Sequence, residues 1–137
     1  MTYMIVSERT ARQPVRVRIP EDAYQALRKY WRKKKEHFLV CTLNGAHEIQ
    51  AIRIVSIGIA NRSLVHPREV FIEAIKDGAV AVIVAHNHPS GNVVPSPEDR
   101  QVTRSLKEAG DILGIRLLDH LVFSQKGFYS FLDHGEL

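Results

Sequence analysis

The segment at residues 79–91 reads AVAVIVAHNHPSG, and it decides the fold of this chain. Its first seven residues form an apolar run of the kind found in strands that are buried on both faces. Sheets made of such strands are covered by helices, so the run indicates an α/β fold. Side chains two residues apart share one face of a strand. The segment therefore predicts a buried strand whose end directs His86 and His88 to the same side of the sheet.

Strand and helix patterns flank this segment, and together they predict one domain with a mixed sheet. Alternating apolar residues and turn signals predict strands at residues 15–19, 37–43, 48–56, 115–123 and 127–131. Apolar residues at helical spacing predict helices that begin near Glu21, His66 and Ser96. Their expected buried stripes are Ala23, Leu27, Tyr30 and Trp31; Val70, Phe71, Ala74 and Ile75; and Val102, Leu106, Ala109 and Leu113. We expect an N-terminal extension at residues 1–14 and a single α/β domain, a mixed, curved β-sheet flanked by helices, at residues 15–137.

The composition is that of an ordinary soluble domain and excludes several classes of protein. The chain has 137 residues, of which 45% are hydrophobic and 25% are charged, which suffices for a self-contained core. Its single cysteine, Cys41, cannot form an internal disulfide, which favours a cytoplasmic over a secreted location. No apolar stretch is long enough to span a membrane, and the start of the chain lacks the pattern of a signal peptide.

Basic residues cluster at Arg28–Lys35, which contributes much of the net charge of +4. Two interpretations of this run stay open. Such runs are most often the solvated end of a helix, where cations also suit the C-terminal dipole. The run also fits a nucleic-acid contact, in which Tyr30 or Trp31 would stack on bases.

The residues that follow the two histidines form a pattern suited to a hydrolytic metal site. Asp99 follows His88 by eleven residues, and Ser96 lies three residues before Asp99. Two imidazoles and a carboxylate leave one position of a tetrahedral zinc ion open for water. Ser96, Pro97 and Asp99 also have the pattern of a helix N-cap. Both interpretations hold together if the start of the helix fixes Asp99 in space.

A hydrolytic site also needs a general base, and a glutamate in a partly dry cleft suits that role. The candidates are Glu36, Glu48, Glu69, Glu73 and Glu98. Glu36 stands between the basic run and the predicted strand at residues 37–43, from where it could face the metal across the sheet. The pattern alone does not rank it first.

Two other zinc or nuclease signatures fit the pattern less well, and two histidines remain outside it. The HNH nucleases spread their residues over a ββα hairpin, whereas here His-Asn-His is consecutive. A zinc nucleobase deaminase needs His-x-Glu and Pro-Cys-x-x-Cys, which a single cysteine excludes. His66 is expected to cap or precede a helix. His120 is expected to be a structural histidine, and either one could support the ligands from behind.

The spacing of these residues resembles the motif of a known family. His86-x-His88, seven residues, Ser96, two residues and Asp99 resemble the JAMM motif of JAB/MPN-type metalloproteases. The segments at residues 65–70, 85–91 and 118–120 resemble the RadC-like branch of that family. The resemblance covers nearly all of the chain from about residue 15 onward. It implies the JAB/MPN (cytidine deaminase-like) architecture.

The resemblance also implies a role for each residue of the motif. His86, His88 and Asp99 match the zinc ligands of the family. Ser96 matches the residue that hydrogen-bonds the activated water or the developing oxyanion. Glu36 matches the upstream acid–base glutamate, by its position before a strand rather than by a motif. These matches imply a zinc-dependent hydrolase, a metallopeptidase or isopeptidase that acts on an amide bond. A protein, a peptide and a small-molecule amide all stay open as its substrate.

An alternative function from another class stays open. The chain would then be a DNA-repair-associated, nucleic-acid-binding or accessory module with a metal site that is not catalytic, and Arg28–Lys35 motivates this alternative. Many JAB/MPN domains are non-catalytic scaffolds, but they have replaced ligands that are all present here.

RadC-like proteins commonly carry a DNA-binding helix-hairpin-helix region before this domain. Too few residues precede it here, so we expect a fragment or a stand-alone variant. The oligomeric state stays open, and Ile57, Ile59 and the edge of the last strand are the candidates for an interface.

Overall fold

The computed structural model describes residues 13–58 and 65–137, and these residues form three helices and five strands. The helices are α1 (Pro20–Ala26), α2 (Pro67–Lys76) and α3 (Pro97–Leu113), with a short 3₁₀ turn at Arg28–Tyr30. The strands are β1 (His37–Leu43), β2 (Ile49–Ile57), β3 (Ala81–Asn87), β4 (Arg116–Ser124) and β5 (Gly127–Ser130). The predicted α/β fold with one mixed sheet flanked by helices is confirmed.

Strand β3 lies at the centre of the sheet, in which the strand order is β2-β1-β3-β4-β5. It pairs antiparallel with β1 and parallel with β4, and the chain crosses from β3 to β4 through α3. All seven residues of β3 are buried, because apolar layers cover both faces of the strand. The layer with α2 and α3 centres on Phe38, Val70, Phe71, Val84 and Leu106, and the layer with α1 centres on Ala23, Leu27, Leu39, Ile83 and Phe123.

The first helix is shorter than predicted, which changes the interpretation of the basic run. Helix α1 ends at Ala26, and residues 28–35 follow it as a 3₁₀ turn and an irregular loop. Arg28–Lys35 therefore follows the α-helix and is not its last turn, and within the run Arg28 donates to the carbonyl oxygen of Gln25 in that turn. Its aromatic residues turn inward instead: Tyr30 is buried, and Trp31 stacks on Tyr24 with ring centroids 4.3 Å apart.

The predicted strand at residues 15–19 is not formed. Arg16 makes a single isolated bridge with Glu48, between a hydrogen bond from Val17 to the turn after β1 and one from the first residue of β2 to Val15. Pro14 and Pro20 bracket this segment, and neither has an N–H group to extend a ladder. Residues 1–12 of the expected N-terminal extension and Ile59 of the expected interface lie outside the described residues.

Two of the predicted helix stripes extend one residue too far. Ile75 of α2 and Leu113 of α3 are 59% and 49% exposed. Helix α3 packs tightly at Gly110, where a Cβ would collide with the carbonyl oxygen of Ile115 and crowd the ring of Phe71. The contact of α3 with the core therefore ends at Gly110, and Leu113 faces solvent.

Among the helices that the structure describes, none combines the length and the apolar content needed to cross a membrane.

Candidate metal centre

Strand β3 brings the two histidines to one end of the sheet. It begins and ends two residues later than predicted, so His86 lies inside the strand and His88 follows it immediately. The N–H of His88 donates to the carbonyl oxygen of Phe123 at 2.8 Å, which continues the pairing with β4. The strand period puts both imidazoles on the same side, and their Nε2 atoms lie 3.1 Å apart.

The first turn of α3 brings a carboxylate to the same place. The Ser96 hydroxyl oxygen accepts from the Asp99 N–H at 3.1 Å, and the Asp99 carboxylate accepts from the Ser96 N–H at 2.9 Å. These two bonds form a capping box, with Pro97 at the first helical position. The cap holds Asp99 so that its carboxylate oxygens lie 3.2 Å from His86 Nε2 and 3.6 Å from His88 Nε2.

These three groups have the separations and the chemistry that a zinc ion requires. A tetrahedral ion with ligand atoms about 2.0 Å away keeps those atoms about 3.3 Å from one another. The measured separations among His86 Nε2, His88 Nε2 and the Asp99 carboxylate are 3.1, 3.2 and 3.6 Å. Imidazole nitrogen and carboxylate oxygen are both ligands that zinc accepts. The residues therefore fit zinc with three protein ligands and one open position.

A chain of hydrogen bonds behind His86 determines which of its ring nitrogens faces the other ligands. The Thr103 hydroxyl donates to the carbonyl oxygen of Asp99 at 2.8 Å, so its oxygen accepts from His120 Nδ1, which is 2.6 Å away. With its proton on Nδ1, neutral His120 accepts through Nε2 from His86 Nδ1 at 3.0 Å. In a neutral His86 ring this leaves the lone pair on Nε2, directed toward Asp99 and His88, as a metal ligand requires.

The contacts of His88 and the charge of Asp99 also suit metal ligands. His88 Nδ1 lies 2.7 Å from the carbonyl oxygen of Asn92, which can only accept, so the proton of the neutral ring is on Nδ1. The Nε2 lone pair then faces the centre. In the metal-free chain, burial by itself would raise the pKa of the Asp99 carboxyl, but hydrogen bonds donated by Nε2–H of His86 and His88 hold that pKa well below its ordinary value. A zinc ion would take the place of these protons, because it binds the Nε2 lone pairs. Asp99 is therefore an anion.

Glu36 is the glutamate that the fold brings to this centre. Its carboxylate lies 4.0 Å from His88 Nε2, and its side chain is 26% exposed. In the described part of the chain, Glu36, His86 and His88 form a group whose ligand atoms all lie within 4.8 Å of one another. The register of the sheet explains this position: β1 pairs with β3 so that Phe38 lies opposite His86, and Glu36 directly precedes β1.

The other four candidate glutamates lie elsewhere and have local roles. Glu48 accepts a hydrogen bond in the turn between β1 and β2. Glu69 accepts from the N–H of His66, which is the N-cap of α2 as predicted. Glu73 forms an ion pair within α2, and Glu98 is exposed on the first turn of α3.

Sequence reasoning missed two residues that support this centre. Thr103 lies four residues after Asp99 on the same face of α3, so helical spacing gave a signal that was overlooked. Asn87 binds the loop that carries Glu36, and no local pattern signals such a contact. His120, expected to be a structural histidine or a support for the ligands, lies directly behind His86.

Comparison with known proteins places the chain in a family. The family model of the RadC-like JAB domain matches residues 17–136. A UPF0758 protein of Geobacter sulfurreducens is 44% identical over 100% of this chain and 60% of its own length. A UPF0758 protein of Methanospirillum hungatei is 61% identical over 68% of this chain and 41% of its own length. A UPF0758 protein of Caldanaerobacter subterraneus is 48% identical over 82% of this chain and 52% of its own length. The chain thus spans about half the length of these curated relatives. The matched residues include the whole sheet and every residue of the candidate centre, and the chain belongs to the RadC-like JAB domain family.

Proposed function

We propose that this chain is a zinc-dependent hydrolase, a metallopeptidase or isopeptidase that cleaves an amide bond of a protein or peptide. One observation carries the proposal. The partly exposed carboxylate of Glu36 lies 4.0 Å from His88 Nε2, beside three donors that fit a zinc ion. A proton-transfer group next to an open metal position is what metal-assisted amide hydrolysis requires. Membership of the JAB domain family supports the same class of reaction.

The zinc ion would be held by His86, His88 and Asp99, and it would supply a Lewis acid that polarises the scissile carbonyl and makes water acidic near neutral pH. Asp99 stays ionised for this task, and the Thr103–His120 chain keeps the Nε2 lone pair of His86 in place. These groups are in position before any substrate arrives.

Glu36 moves the proton. Its carboxylate removes a proton from the attacking water and later delivers it to the nitrogen of the leaving amine. Its partial exposure supports this role, because the carboxylate meets both the centre and a substrate that enters from solvent. Water activation and departure of the amine thus use the same carboxylate in turn.

Ser96 stabilises the carbonyl oxygen as that oxygen gains negative charge. The hydroxyl oxygen of Ser96 already accepts the N–H of Asp99, which fixes the position of the side chain. Its hydroxyl proton is then available to donate to the substrate.

The test compares Glu36→Gln with His88→Ala. Glutamine keeps the shape of Glu36 but cannot take the proton, so we expect Glu36→Gln to retain zinc and to lose turnover by about 10²–10⁴-fold. His88→Ala removes a ligand and should lose both zinc and turnover. Metal content is measured by mass spectrometry after purification without chelators, and turnover with a mixture of quenched-fluorescent peptides of degenerate sequence.

Glu98→Gln is the matched control, because Glu98 is next to Asp99 in the chain but exposed. It should change neither zinc content nor turnover. Absence of zinc from the unaltered chain would contradict the proposal, and so would a Glu36→Gln variant that hydrolyses the peptides at the unaltered rate.

A further inference from the structure

A groove crosses the candidate centre. One part of it encloses about 690 Å³ and the other about 400 Å³. Both parts are lined by Lys34 and by residues 88–90, so they form one depression that passes over His88. The first part continues to Lys35, Glu36 and residues 57–58, and the second to residues 31–33 and 124–126. A bound chain that follows this groove passes the proposed proton-transfer group.

The walls of the groove are strongly basic. They carry five cations, Arg32, Lys33, Lys34, Lys35 and Lys126, against one carboxylate, Glu36. All five cations are exposed. Within residues 13–58 and 65–137 none of them forms an ion pair, and Arg32 donates to the neutral side-chain amide of Gln125 at 3.0 Å. Cations without counter-charges along a cleft raise its potential and concentrate anionic ligands there.

The groove uses only part of the basic run at residues 28–35. Arg28 donates to the carbonyl oxygen of Gln25, Lys29 lies over the ring of Tyr30, and neither lines the groove. Lys126 joins the remaining cations from the turn between β4 and β5, far away in the chain. Cations from two distant segments meet at one opening, which is a feature of a binding site rather than of a solvated loop.

We propose that this groove binds a polypeptide that carries carboxylates on both sides of the scissile amide. The proposal rests on the proposed hydrolase function and names the substrate class of that same site. Carboxylates of an acidic polypeptide would pair with Arg32–Lys35 on one wall and with Lys126 on the other, while its backbone supplies the amide. A nucleic acid would satisfy the cations but brings no amide bond to Glu36 and His88, so the polypeptide is the occupant that the whole site favours.

The test measures binding of labelled peptides to the zinc-loaded chain by fluorescence anisotropy. Three peptides share one sequence, except that the residues flanking the central amide are Glu, Gln or Lys, and a single-stranded oligonucleotide of equal negative charge is the fourth probe. We expect the Glu peptide to bind at least about tenfold more tightly than the Gln peptide at low salt. This advantage should shrink as ionic strength rises. The Lys peptide should bind most weakly.

Variants matched in charge locate the binding site. Lys35→Gln and Lys126→Gln alter the two parts of the groove. Each should lower the affinity for the Glu peptide several-fold and leave the affinity for the Gln peptide unchanged. Lys29→Gln removes one positive charge from the same basic run but outside the groove, and it should leave the affinity for both peptides unchanged.

Three results would each overturn the proposal: equal binding of the Glu and Gln peptides, an equal loss from Lys29→Gln, or tighter binding of the oligonucleotide than of the Glu peptide. Binding is read without turnover. A chain that prefers the Glu peptide but hydrolyses nothing would therefore count against the proposed function alone.

A different observation concerns Asn87, the residue between the two histidines. It is fully buried and lies on the opposite face of β3 from them. Its Oδ1 accepts from the N–H of His37 at 2.6 Å, and its Nδ2 donates to the carbonyl oxygens of Lys33 and Lys35 at 3.2 and 3.1 Å. A backbone N–H only donates and a carbonyl only accepts, so these partners fix the orientation of the amide.

These three hydrogen bonds bracket Glu36. Lys35 and His37 are its chain neighbours, and its own carbonyl oxygen accepts from the N–H of Gly58 at 2.7 Å. The backbone of Glu36 is therefore held on both sides, which limits where its carboxylate can reach. We infer that Asn87 is the positioning residue for Glu36. Strand β3 then presents the proposed zinc ligands on one face and holds the proton-transfer group from the other.

Asn87→Asp tests this inference. The substitution keeps the size of the side chain but places an oxygen against the carbonyl oxygens of Lys33 and Lys35, which repels the loop. We expect kcat to fall about 10–100-fold while zinc affinity, measured by competition with a chelator, changes less than about threefold. Amide hydrogen exchange at residues 33–37 should accelerate, while exchange in β3 and β4 stays slow. Asn87→Ala removes the three hydrogen bonds without adding repulsion. It should likewise lower kcat more than zinc affinity and accelerate exchange at residues 33–37 more than in β3 and β4.

Asn44→Asp is the matched control, because Asn44 caps the turn after β1 through the N–H groups of Ala46 and Glu48. It should leave kcat and exchange at residues 33–37 unchanged. Unchanged exchange at residues 33–37 in both Asn87 variants, or a loss of zinc affinity as large as the loss of kcat, would overturn the assignment. The exchange measurement needs no catalysis, so it tests Asn87 separately from the proposed function.

Discussion

His86 and Asp99 form an inner half of the centre, and His88 and Glu36 form an outer half that is built differently. The inner side chains are 0% and 1% exposed, and regular structure holds them: β3 for His86 and the first turn of α3 for Asp99. The outer side chains are 20% and 26% exposed. His88 follows the end of β3 and Glu36 precedes β1, so both lie on irregular backbone.

This difference separates the rigid, buried support of two metal ligands from the exposed side where the third ligand and the proton-transfer group meet solvent. The inner half is packed like a core: the ring of Phe131 stacks on His120 with centroids 4.8 Å apart, and Phe38 stacks on His86 at 5.8 Å. A dry surround strengthens charged and polar contacts and fixes the ligand lone pairs. The outer half reaches solvent, where a substrate arrives. Changes to the inner half should therefore alter metal affinity and stability. In the outer half, a change to the ligand His88 should alter metal affinity and turnover together, and a change to Glu36 should alter turnover alone.

Thr103→Val is the substitution expected to separate the two halves most clearly. Valine has nearly the shape of threonine but removes the hydroxyl that accepts from His120 Nδ1 and donates to the carbonyl oxygen of Asp99. A buried donor left without an acceptor should lower the free energy of unfolding by about 1–3 kcal/mol. His86 loses its fixed tautomer, so zinc affinity should fall about 10–100-fold. Urea unfolding of the metal-free chain and competition with a chelator measure the two effects.

Thr103→Ser keeps the hydroxyl and should retain most of the zinc affinity, which makes it the control for the loss of a methyl group. Glu36→Gln, in the outer half, should leave zinc affinity unchanged. If Thr103→Val binds zinc as tightly as the unaltered chain, the inner half does not depend on its hydrogen-bond chain and the contrast between the halves fails.

Sequence reasoning predicted the parts of the centre that depend on local periodicity. The shared direction of His86 and His88 follows from the period of a strand, and the helix start at Ser96 and Asp99 follows from a cap pattern spanning four residues. Both patterns operate within one element, so a short window of sequence contains all the information needed.

The residues that depend on contacts between elements were harder to predict. Glu36 reaches the centre because of the register between β1 and β3, and periodicity within either strand does not specify that register. Only the family resemblance ranked it above the other glutamates. The role of Asn87 could not be predicted, because its partners at residues 33–37 are about fifty residues away in the chain. The same limit applies to the end of α3, where the packing of Gly110 against Ile115 leaves Leu113 exposed.

A second buried carboxylate, Asp119, lies behind the inner half and differs from Asp99 in its neighbours. Burial raises the pKa of the Asp119 carboxyl above its ordinary value of 3.8, although hydrogen bonds from Ser130, Leu132 and the N–H of His120 act in the other direction. The folded chain therefore keeps this proton at pH values where the unfolded chain has released it. The resulting stabilisation is complete below the unfolded pKa and is lost as the pH rises through the folded pKa.

Asp119→Asn should remove this contribution to the pH dependence of the free energy of unfolding. It thereby shows how much of the stability around the inner half comes from a titrating group. Asparagine keeps an oxygen that accepts from the N–H groups of His120 and Leu132, and its amide can donate to the Ser130 hydroxyl. As the pH rises above the ordinary pKa of 3.8, the free energy of unfolding of the metal-free, unaltered chain should fall relative to that of the variant. The effect should be smaller than that of Thr103→Val, because no buried hydrogen bond is lost. Urea unfolding at several pH values measures it, and parallel curves for the two chains would mean that the Asp119 carboxyl titrates alike in the folded and unfolded states.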